Sequence, residues 1–554
     1  MYDYVIVGAG SAGCVLANRL SEDPDVSVLL LEAGGPDTND LVHVPAAFPA
    51  LYRTAQDWDH STIYEPYAND RRIYLPRGKV LGGSSSINAM VYIRGNRLDY
   101  DGWGLEGWRY DDLLPYFKRA EDNERGPDEH HGVGGPLPVG ESRSRNPLSQ
   151  RFLDAVASRG LPMNPDFNAG EQDGFGWYQL TQRRGARAST AVAYLHRVAD
   201  RTNLTVETHV HALKLLFEGT RAVGVRGTRL GEMLDFSAER EVIVSCGTYN
   251  SPQLLMLSGL GRPEELEPLQ IEVVAEVPQI GVGLQDHPNT GVVYAIDEEI
   301  SLFGALNDEN LLLFESEGRG PLTSNIAEVG GFARTRGGLD APDVQFHFVP
   351  GRFQSEGLMP GEGHGFSLGV CLVTPKSRGG VMLGSPDPTA KPLIVHNYLE
   401  HEDDVASLVS GLRMCLEICS TEPLGELVSG VVQGPASDSD DDLLTYARQY
   451  LMTLYHPVGT CRMGDDDGAV VDRELRVRGV EGVRVVDASV MPSVPRGNTN
   501  APTIALAERA ADLIRGRTPL RPQGADAESA PAETAAATAA GGARSGAAGP
   551  VSPA

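Results

Sequence analysis

The sequence is short of cysteine, lysine and aromatic residues, and it has no long apolar run. Its 554 residues include 6 cysteines and five lysines, and 6% of them are aromatic. Scattered cysteines in a chain of this length exclude a disulfide framework. No apolar segment reaches the roughly 18 residues that a membrane-spanning helix needs. We therefore expect a water-soluble, cytoplasmic protein with reduced thiols and with no signal peptide before its first strand.

Basic residues are also in deficit. Acidic side chains outnumber basic ones by 75 to 47, which gives a net charge of −28. Nucleic acids and anionic membrane surfaces bind basic patches, so this balance argues against both as partners. The Glu-His-His run at 129–131 has no third ligand at a suitable spacing, and we predict no metal site. Nothing in the composition indicates an oligomeric state.

The length of the chain predicts more than one domain, because 554 residues exceed what a single core usually holds. Residues 521–554 consist almost entirely of Ala, Gly, Pro, Ser and Thr. A segment of this composition has very little apolar surface to bury. We therefore predict that this tail is disordered, and we assign it no function.

The N-terminus carries a pattern typical of dinucleotide binding. A short apolar strand precedes Gly8, Gly10 and Gly13, a helical pattern follows, and a second buried strand ends at Glu32. The first glycine permits a tight turn, the second lets the backbone approach a pyrophosphate, and the third lets helix and strand pack closely. Glu32 can accept hydrogen bonds from a ribose diol and would repel a 2′-phosphate, which argues against NADP. The pattern alone leaves FAD and NAD open.

A second glycine cluster follows in RGKVLGGSSSINAMVYIRGNRLDYD (77–101). Gly82, Gly83 and three serines form a loop rich in N–H and hydroxyl donors. Such a loop could hold a pyrophosphate or cover a ring. The apolar residues Ile87, Met90 and Val91 follow at once and argue against an exposed surface loop.

This segment, together with GTYNSPQLLMLSGLG (247–261), resembles the two signature segments of the glucose–methanol–choline oxidoreductases. The segments GVGLQDH (281–287), YHPVGTCRMG (455–464) and GNTNAPTIALAERAADLI (497–514) agree with the same family, in the same order. The resemblance runs from about residue 2 to about residue 516 and is strongest to the choline dehydrogenase-like and aliphatic alcohol dehydrogenase branch.

The resemblance implies an α/β fold, α+β overall, in which a Rossmann-type FAD-binding domain is interleaved with a substrate domain built on an antiparallel sheet. We expect 1–290 to form the main part of the FAD-binding domain and 291–455 the substrate-binding domain. The segment 456–520 should return to the FAD-binding domain and carry the catalytic residues.

The implied cofactor is FAD. Some members of the family link it covalently through a histidine in the glycine–serine loop, but the matching residue here is Ile87, which has no nucleophilic atom, so we expect non-covalent FAD. The cofactor-binding residues that we predict are Gly8, Gly10, Ser11, Ala12, Gly13, Glu32, Ala33, Arg77, Leu81, Gly82, Gly83, Ser84, Asn88, Ala89, Met90, Val210, Gly247, Asp487, Ala488, Asn500, Pro502 and Thr503.

His456 is the candidate catalytic base. A lone histidine in an apolar segment is more often structural, but the resemblance pairs it with Asn498 as the His/Asn form of the family's active site. Oxidation of an alcohol removes a hydroxyl proton and a hydride. Imidazole suits the first task because its ordinary pKa is near neutrality, and asparagine cannot act as a base. We predict that His456 takes the proton, Asn498 orients the substrate oxygen and the hydride passes to flavin N5.

The substrate is expected to be a primary alcohol, oxidised to an aldehyde. Alternation in DVQFHFVP (343–350) puts Val344, Phe346 and Phe348 on one face and directs His347 into a pocket. Glu328 is a second substrate candidate, weighed equally against a solvated strand residue. A quaternary ammonium needs an aromatic cage. Trp58, Tyr64, Trp177 and Phe346 are available for one, but the low aromatic content gives choline less weight.

The bulk of Leu454, two residues before His456, favours a dehydrogenase with an unidentified electron acceptor over an oxidase that produces hydrogen peroxide. A hydroxynitrile lyase that keeps its flavin is a third, less favoured alternative.

Overall fold

The structure is a computed structural model that describes residues 1–358 and 361–521. The predicted disordered tail, apart from its first residue, lies outside the described residues. Two seven-stranded sheets dominate the molecule. In chain order, their strands are β1 (Tyr2–Val7), β2 (Val28–Leu31), β3 (Gly174–Trp177), β4 (Leu204–Glu207), β5 (His211–Glu218), β6 (Arg221–Arg229), β7 (Glu232–Val244), β8 (Pro288–Ile296), β9 (Val329–Ala333), β10 (Val344–Val349), β11 (Gly365–Leu372), β12 (Val428–Gln433), β13 (Met452–Thr453) and β14 (Val483–Val485).

Eight longer helices surround the sheets: α1 (Ser11–Leu20), α2 (Tyr110–Ala120), α3 (Pro147–Ser158), α4 (Gly247–Leu257), α5 (Asp308–Glu317), α6 (Glu402–Cys419), α7 (Asp440–Tyr450) and α8 (Asn500–Ile514). Shorter α-helices span Asp40–His43, Arg97–Asp101 and Pro263–Leu266, and a π-helical turn spans Ala191–Leu195. Turns of 3-10 helix span Pro45–Leu51, Gly83–Ser86, His196–Val198, Glu267–Leu269, Pro321–Thr323, Ser355–Gly357, Gly425–Leu427 and Ala488–Val490. None of the helices in the described part of the chain is long and apolar enough to cross a membrane.

Small sheets form in the segments that connect the elements of the two large sheets. Their strands are His60–Ser61 with Tyr74–Leu75; Glu121–Asn123, Leu137–Glu141 and Gln179–Leu180; Gln182–Arg183 with Ala186–Arg187; Leu260–Gly261 with Ala275–Glu276; and Val282–Leu284, Gly379–Met382 and Leu393–Val395.

The first large sheet has the order β4–β2–β1–β7–β6–β5, with β14 beside β7. Its central pairs β2–β1, β1–β7 and β7–β14 are parallel, whereas β7–β6–β5 are antiparallel. The β1 register sets Val7 opposite Leu31 and Val244, so three strands end at one edge. Ligands of open α/β sheets bind at this carboxyl edge.

The second large sheet has the order β12–β8–β11–β10–β9–β3, with β13 beside β8, and its pairs are antiparallel. In β10, Val344, Phe346 and Phe348 are fully buried in the core beneath the sheet, together with residues of α6. The predicted α/β fold with a Rossmann-type part and an antiparallel part is confirmed, as is the predicted inner face of β10.

The two parts of the fold are interleaved more extensively than the predicted domain boundaries imply. The edge strand β3 and the helix α3 fall within 1–290, yet they pack with the second sheet. The sequence of β3, GFGW, has two glycines in four residues, and glycine weakens any strand signal. The division into 1–290, 291–455 and 456–520 stays a prediction.

The helix α4 contains a proline. It starts at Gly247, and Pro252 lies inside it. A proline in this position cannot donate to the carbonyl of Thr248. The hydroxyl of Thr460 donates to that carbonyl instead, at 2.6 Å, so the acceptor is satisfied. Gly259 follows the end of the helix in a left-handed conformation with φ of 85°.

Close packing of α1 on β1 depends on Gly13. A Cβ atom at this position would lie 1.9 Å from the carbonyl oxygen of Gly8 and 3.5 Å from Cδ1 of Leu30. A Cβ atom on Gly10, one turn earlier, would meet no atom closer than 4.0 Å. The two glycines therefore have different roles. Gly13 allows the helix to pack closely, and Gly10 leaves free space above the turn.

Gly13→Ala should lower the thermal midpoint of the ligand-free protein by about 2–4 °C, because α1 must move away from the sheet. Gly10→Ala is the matched control, and its midpoint should stay within about 1 °C of the parent. Differential scanning fluorimetry of the two ligand-free variants makes the comparison. Equal midpoints for both variants would contradict the packing role of Gly13.

Candidate active site

A cavity of about 340 Å³ extends from the carboxyl edge of the first sheet to the second sheet. At one end it is lined by the glycine turn after β1 and by Glu32 after β2. At the other end it is lined by His347 of β10 and by His456 and Asn498 from the C-terminal part of the chain. One cavity thus joins the predicted dinucleotide motif to the predicted catalytic pair.

Three helices point their N-termini at this cavity. Ser11 opens α1, Gly247 opens α4 and Asn500 opens α8, and all three line the cavity. In none of the three does the N-cap side chain accept a hydrogen bond from the helix. At the start of α4, the N–H of Gly247 already donates to Asp487 at 2.9 Å. The uncapped N–H groups and the positive dipole ends of α1 and α8 favour an anionic ligand. The hydroxyl of Ser11 donates to Oδ1 of Asn500 at 2.7 Å and joins α1 to α8.

Glu32 lies at the end of β2 with 5% of its surface exposed. Its oxygens accept from the N–H groups of Ala9 and Gly34, at 2.9 and 2.8 Å. Burial raises the pKa of Glu32 to about 7, against the effect of these donors. A further donor at the cavity, such as a ribose hydroxyl, would favour the charged form.

The imidazole of His456 is held from both sides. Its Nε2 atom lies 3.1 Å from Nδ2 of Asn498, and its Nδ1 atom lies 3.0 Å from Nδ1 of His287. The backbone N–H of His456 donates to Oδ1 of Asp286 at 2.7 Å. Asp286 is itself fixed by the hydroxyl of Tyr398, which donates to its Oδ2 at 2.7 Å. These contacts bring together four segments of the chain: 286–287, Tyr398, His456 and Asn498.

Electrostatics keep His456 uncharged. Burial lowers its pKa well below the ordinary value, and His287, His347 and Arg77 add to this effect. Burial also lowers the pKa of His287 to about 4 and that of His347 to about 3. A neutral imidazole has one nitrogen that can accept a proton, which is the state a general base requires.

Three residues that line the cavity have a left-handed backbone conformation. They are Met90, Ile326 and Tyr455, with φ values of 59°, 68° and 69°. Side-chain-bearing residues rarely adopt such values, and a β-branched residue such as Ile326 does so least readily. Strain of this kind costs about 1–3 kcal/mol per residue and persists where surrounding structure imposes it. Tyr455 immediately precedes His456, so its conformation helps to set the direction of the imidazole.

The GMC oxidoreductase model matches residues 2–289 and 375–507 of the chain. The chain is 44% identical to an alcohol dehydrogenase [acceptor] of Pseudomonas putida, over 93% of this chain and 96% of the relative. It is 45% identical to oxygen-dependent choline dehydrogenase 1 of Chromohalobacter salexigens, over 95% of this chain and 97% of the relative.

The chain belongs to the GMC oxidoreductase family. It is an FAD-dependent oxidoreductase that acts on CH–OH donors. Among solved structures, it is similar to pyridoxine 4-oxidase from Mesorbium loti, with a TM-score of 0.86 and 32% identity over 94% of this chain and 100% of the other. It is also similar to formate oxidase, with a TM-score of 0.88 and 29% identity over 93% of this chain and 98% of the other.

The cavity fits the FAD of this GMC oxidoreductase. The uncapped N-terminus of α1 suits the pyrophosphate, and the space above Gly10 and Gly247 is open, since a Cβ on Gly247 would meet nothing within 4 Å. Ile87 lines the cavity with no nucleophilic atom, in keeping with a non-covalent cofactor. Most of the predicted site residues line the cavity: Gly8, Gly10, Ser11, Ala12, Glu32, Ala33, Arg77, Gly83, Ser84, Asn88, Ala89, Met90, Val210, Gly247, His347, His456, Asp487, Ala488, Asn498, Asn500 and Thr503.

Four predicted cofactor residues do not line the cavity: Gly13, Leu81, Gly82 and Pro502. Gly13 acts through helix packing. The carbonyl oxygens of Leu81 and Gly82 accept from the hydroxyls of Ser86 and Ser85, each at 2.6 Å, so these residues shape the loop from behind. Pro502 lies in the first turn of α8, where its lack of an N–H group removes no helical hydrogen bond.

The structure corrects the prediction that Glu328 faces the substrate. Glu328 is fully buried, and its two oxygens accept from the hydroxyls of Ser144, Ser324 and Ser149 at 2.7 Å and from the N–H of Asn146 at 3.1 Å. It ties the start of α3 to the segment before β9. The sequence could not reveal this, because three of the four donors lie about 180 residues away along the chain.

The four aromatic residues that were available for a cage do not form one in the described part of the chain. Tyr64 is 68% exposed, and Phe346 lies in the core beneath the second sheet. The guanidinium of Arg145 covers the ring of Trp177 at 4.2 Å. Trp58 lines the cavity, but the ammonium of Lys79 lies 4.6 Å from its ring centre. The four rings therefore do not converge on one ligand.

Sequence reasoning missed two residues beside the catalytic pair, His287 and Gln345. The segment GVGLQDH ends at His287 and matches the family, which was the available signal. Gln345 shares the cavity-directed face of β10 with His347, and its Nε2 atom lies 3.5 Å from Oδ1 of Asn498.

Glu328→Gln should lower the free energy of unfolding by about 1–3 kcal/mol, because an amide nitrogen would face buried donors. Its kcat/KM for an alcohol should stay within about twofold of the parent, since the side chain does not reach the cavity. Urea denaturation and steady-state kinetics give the two values. Glu315→Gln on the exposed face of α5 is the matched control. A large rise in KM with unchanged stability would restore the substrate role.

Proposed function

We propose that this GMC oxidoreductase oxidises a neutral, apolar primary alcohol to an aldehyde and passes the electrons to an acceptor other than oxygen. The observation that carries the proposal is the neutral imidazole of His456, held 3.1 Å from the amide of Asn498 at the end of the cavity away from the glycine turn. The name of the Pseudomonas putida relative, alcohol dehydrogenase [acceptor], supports the reaction and the acceptor.

We propose that His456 accepts the hydroxyl proton of the alcohol. Its Nε2 atom takes the hydroxyl proton of the alcohol, while the amide N–H of Asn498 orients the oxygen. Loss of this proton leaves an alkoxide-like oxygen, which makes the neighbouring carbon a better hydride donor. Bound FAD supplies the two-electron acceptor for that carbon. His347 lines the same end of the cavity and limits where the alcohol carbon can lie.

The cofactor end would be held by the chain's own donors. Gly10 and Ser11 at the start of α1 would face the pyrophosphate, and Glu32 would accept from the ribose. Asn500, at the start of α8, would face the ring, and the helix dipole would stabilise negative charge on it.

Apolar side chains support the choice of a neutral substrate. Phe48, Tyr52, Ile87, Ile326 and Phe353 line the cavity and pack in one apolar cluster, which we call the apolar lid. The ring of Tyr52 lies 6.1 Å from that of Tyr455, so the lid borders the residue before His456.

Few carboxylates line the cavity. Within the described parts of the chain, the carboxylates that line the cavity are Glu32 and Asp487, and both belong to the predicted cofactor site. Asp487 accepts from the N–H of Gly247 at 2.9 Å and from the hydroxyl of Ser251 at 2.6 Å. A cationic alcohol would therefore lose its hydration without gaining an opposite charge.

The cytoplasmic location stays a prediction.

An anaerobic reaction of the holoenzyme tests the proposal. The flavin absorbance is followed after mixing with 1-octanol, with choline and with 3,3-dimethyl-1-butanol, the uncharged carbon analogue of choline. The neutral alcohols should bleach the flavin, and the carbon analogue should exceed choline in the bimolecular rate constant by at least about tenfold. Admission of air should restore the colour slowly, over many turnover times.

Each contrary outcome has a distinct meaning. Faster reduction by choline than by its carbon analogue would overturn the neutral substrate. Rapid recovery in air with peroxide formation would indicate an oxidase. No bleaching by any alcohol, together with cleavage of cyanohydrins, would replace the oxidoreductase by a lyase.

A further inference from the structure

We propose that a chain of hydrogen bonds through Tyr178, Gln345, Asn498, His456 and His287 fixes the proton of His456 on Nδ1 and leaves Nε2 free to act as the base. Within it, Gln345 and His287 are positioning residues, since they act through Asn498 and His456. The inference rests on the proposed function. It adds the two residues that decide which nitrogen of His456 accepts the substrate proton.

Tyr178, at the end of the hydrogen-bond network, determines which atoms donate and which accept. The hydroxyl of Tyr178 donates to the carbonyl oxygen of Phe346 at 2.6 Å, so its single proton is engaged. The oxygen of Tyr178 can then only accept, and Nε2 of Gln345 lies 3.3 Å from it. The amide of Gln345 is therefore oriented with its nitrogen towards Tyr178. All three residues are buried, so water does not compete for these bonds.

The orientation of the Gln345 amide determines the orientation of the Asn498 amide. The same Nε2 atom of Gln345 lies 3.5 Å from Oδ1 of Asn498, and an amide nitrogen can only donate. The oxygen of Asn498 thus faces Gln345, and its nitrogen faces Nε2 of His456 at 3.1 Å. Two donors in contact would repel each other. Nε2 of His456 must therefore accept, and it carries no proton.

A neutral imidazole carries one proton, so that of His456 lies on Nδ1. This atom is 3.0 Å from Nδ1 of His287, and a single proton must lie between the two rings. His287 therefore accepts at Nδ1 and carries its own proton on Nε2. The reverse arrangement would place a proton on Nε2 of His456, directly opposite the amide nitrogen of Asn498. The ring planes meet at 85°, and His287 is fully buried.

The arrangement serves the reaction in two ways. Before the reaction, Nε2 carries no proton and accepts from the amide of Asn498. When the alcohol binds, its hydroxyl takes the place of that bond, and the amide of Asn498 donates to the alcohol oxygen instead. When the O–H bond of the alcohol breaks, the proton moves to Nε2 and the bonding electron pair stays on the substrate oxygen. His456 is then an imidazolium, and its bond from Nδ1 to His287 becomes a charge-assisted hydrogen bond. His287 therefore stabilises the protonated form at the moment when it is produced.

The proton positions are tested first in the unmodified holoenzyme. Long-range hydrogen–nitrogen NMR correlations of protein labelled with 15N-histidine distinguish a protonated ring nitrogen from an unprotonated one. A His456→Asn variant identifies the signals of His456 among the 13 histidines. We expect an unprotonated Nε2 and a protonated Nδ1. The opposite assignment would overturn the proposal, while bleaching of the flavin by alcohols would still leave the proposed function intact.

The role of His287 is tested by substitution. His287→Leu removes the acceptor and should lower the rate constant of flavin reduction by about tenfold to a hundredfold, with a smaller change in substrate affinity. His287→Asn offers an oxygen near the position of Nδ1 and should recover part of the loss. His396→Leu is the matched control, because His396 is also a buried histidine whose pKa burial lowers to about 4, but its ring contacts the hydroxyl of Tyr249 and not His456.

Flavin content is measured for each variant, so that misfolding is separated from a slow reaction. A His287→Leu enzyme with bound flavin that reduces as fast as His396→Leu would overturn the role of His287. A failure of the unmodified enzyme to react with any alcohol would instead overturn the proposed function.

Discussion

The rest of the site depends on the two contacts that hold the His456 ring between Asn498 and His287. Its two distances, 3.1 and 3.0 Å, join segments that are 42 and 169 residues apart along the chain. His287 comes just before β8 of the antiparallel sheet, and Asn498 comes just before α8 of the flavin-binding part. The imidazole is therefore positioned only when both sheets are assembled. Burial, which makes the ring neutral, also comes from this meeting of the two parts.

The other end of the cavity depends on backbone rather than on side chains. Three helix N-termini meet there. Asp487 accepts from the first N–H of α4, and the uncapped N–H groups of α1 and α8 form a site for an anion. Such a site requires little from the side chains except that they be small. Gly10 keeps the turn open, and Gly13 lets α1 approach the sheet closely enough to aim its N-terminus. Strained residues at the far end, among them Tyr455, show that the surrounding structure imposes geometry there as well.

Local patterns explain what the sequence could predict. The glycine motif, Glu32 and the alternation of β10 each reside in a few consecutive residues, and short-range geometry converts them directly into a turn, a strand end and a cavity-directed face. His347 and Gln345 fell on the same face for this reason. The family resemblance added His456 and Asn498, which no local pattern singles out.

Long-range partners explain what the sequence could not predict. Glu328 looks like any strand carboxylate until three hydroxyls and an N–H group from other segments reach it. Pro252 lies inside α4 because Thr460, more than two hundred residues later, satisfies the carbonyl of Thr248. The edge strand β3 is formed by pairing with β9, not by its own glycine-rich sequence.

The central claim, that His456 is the base, is tested most directly by a single-turnover measurement on His456→Ala. The variant is loaded with FAD and mixed without oxygen with 1-octanol at a concentration that saturates the parent enzyme. The account predicts that flavin reduction slows by about a hundredfold to ten-thousandfold while FAD stays bound, because general-base catalysis contributes an acceleration of this size. Reduction at the rate of the parent enzyme would contradict it, and the proton would then have to leave through another group.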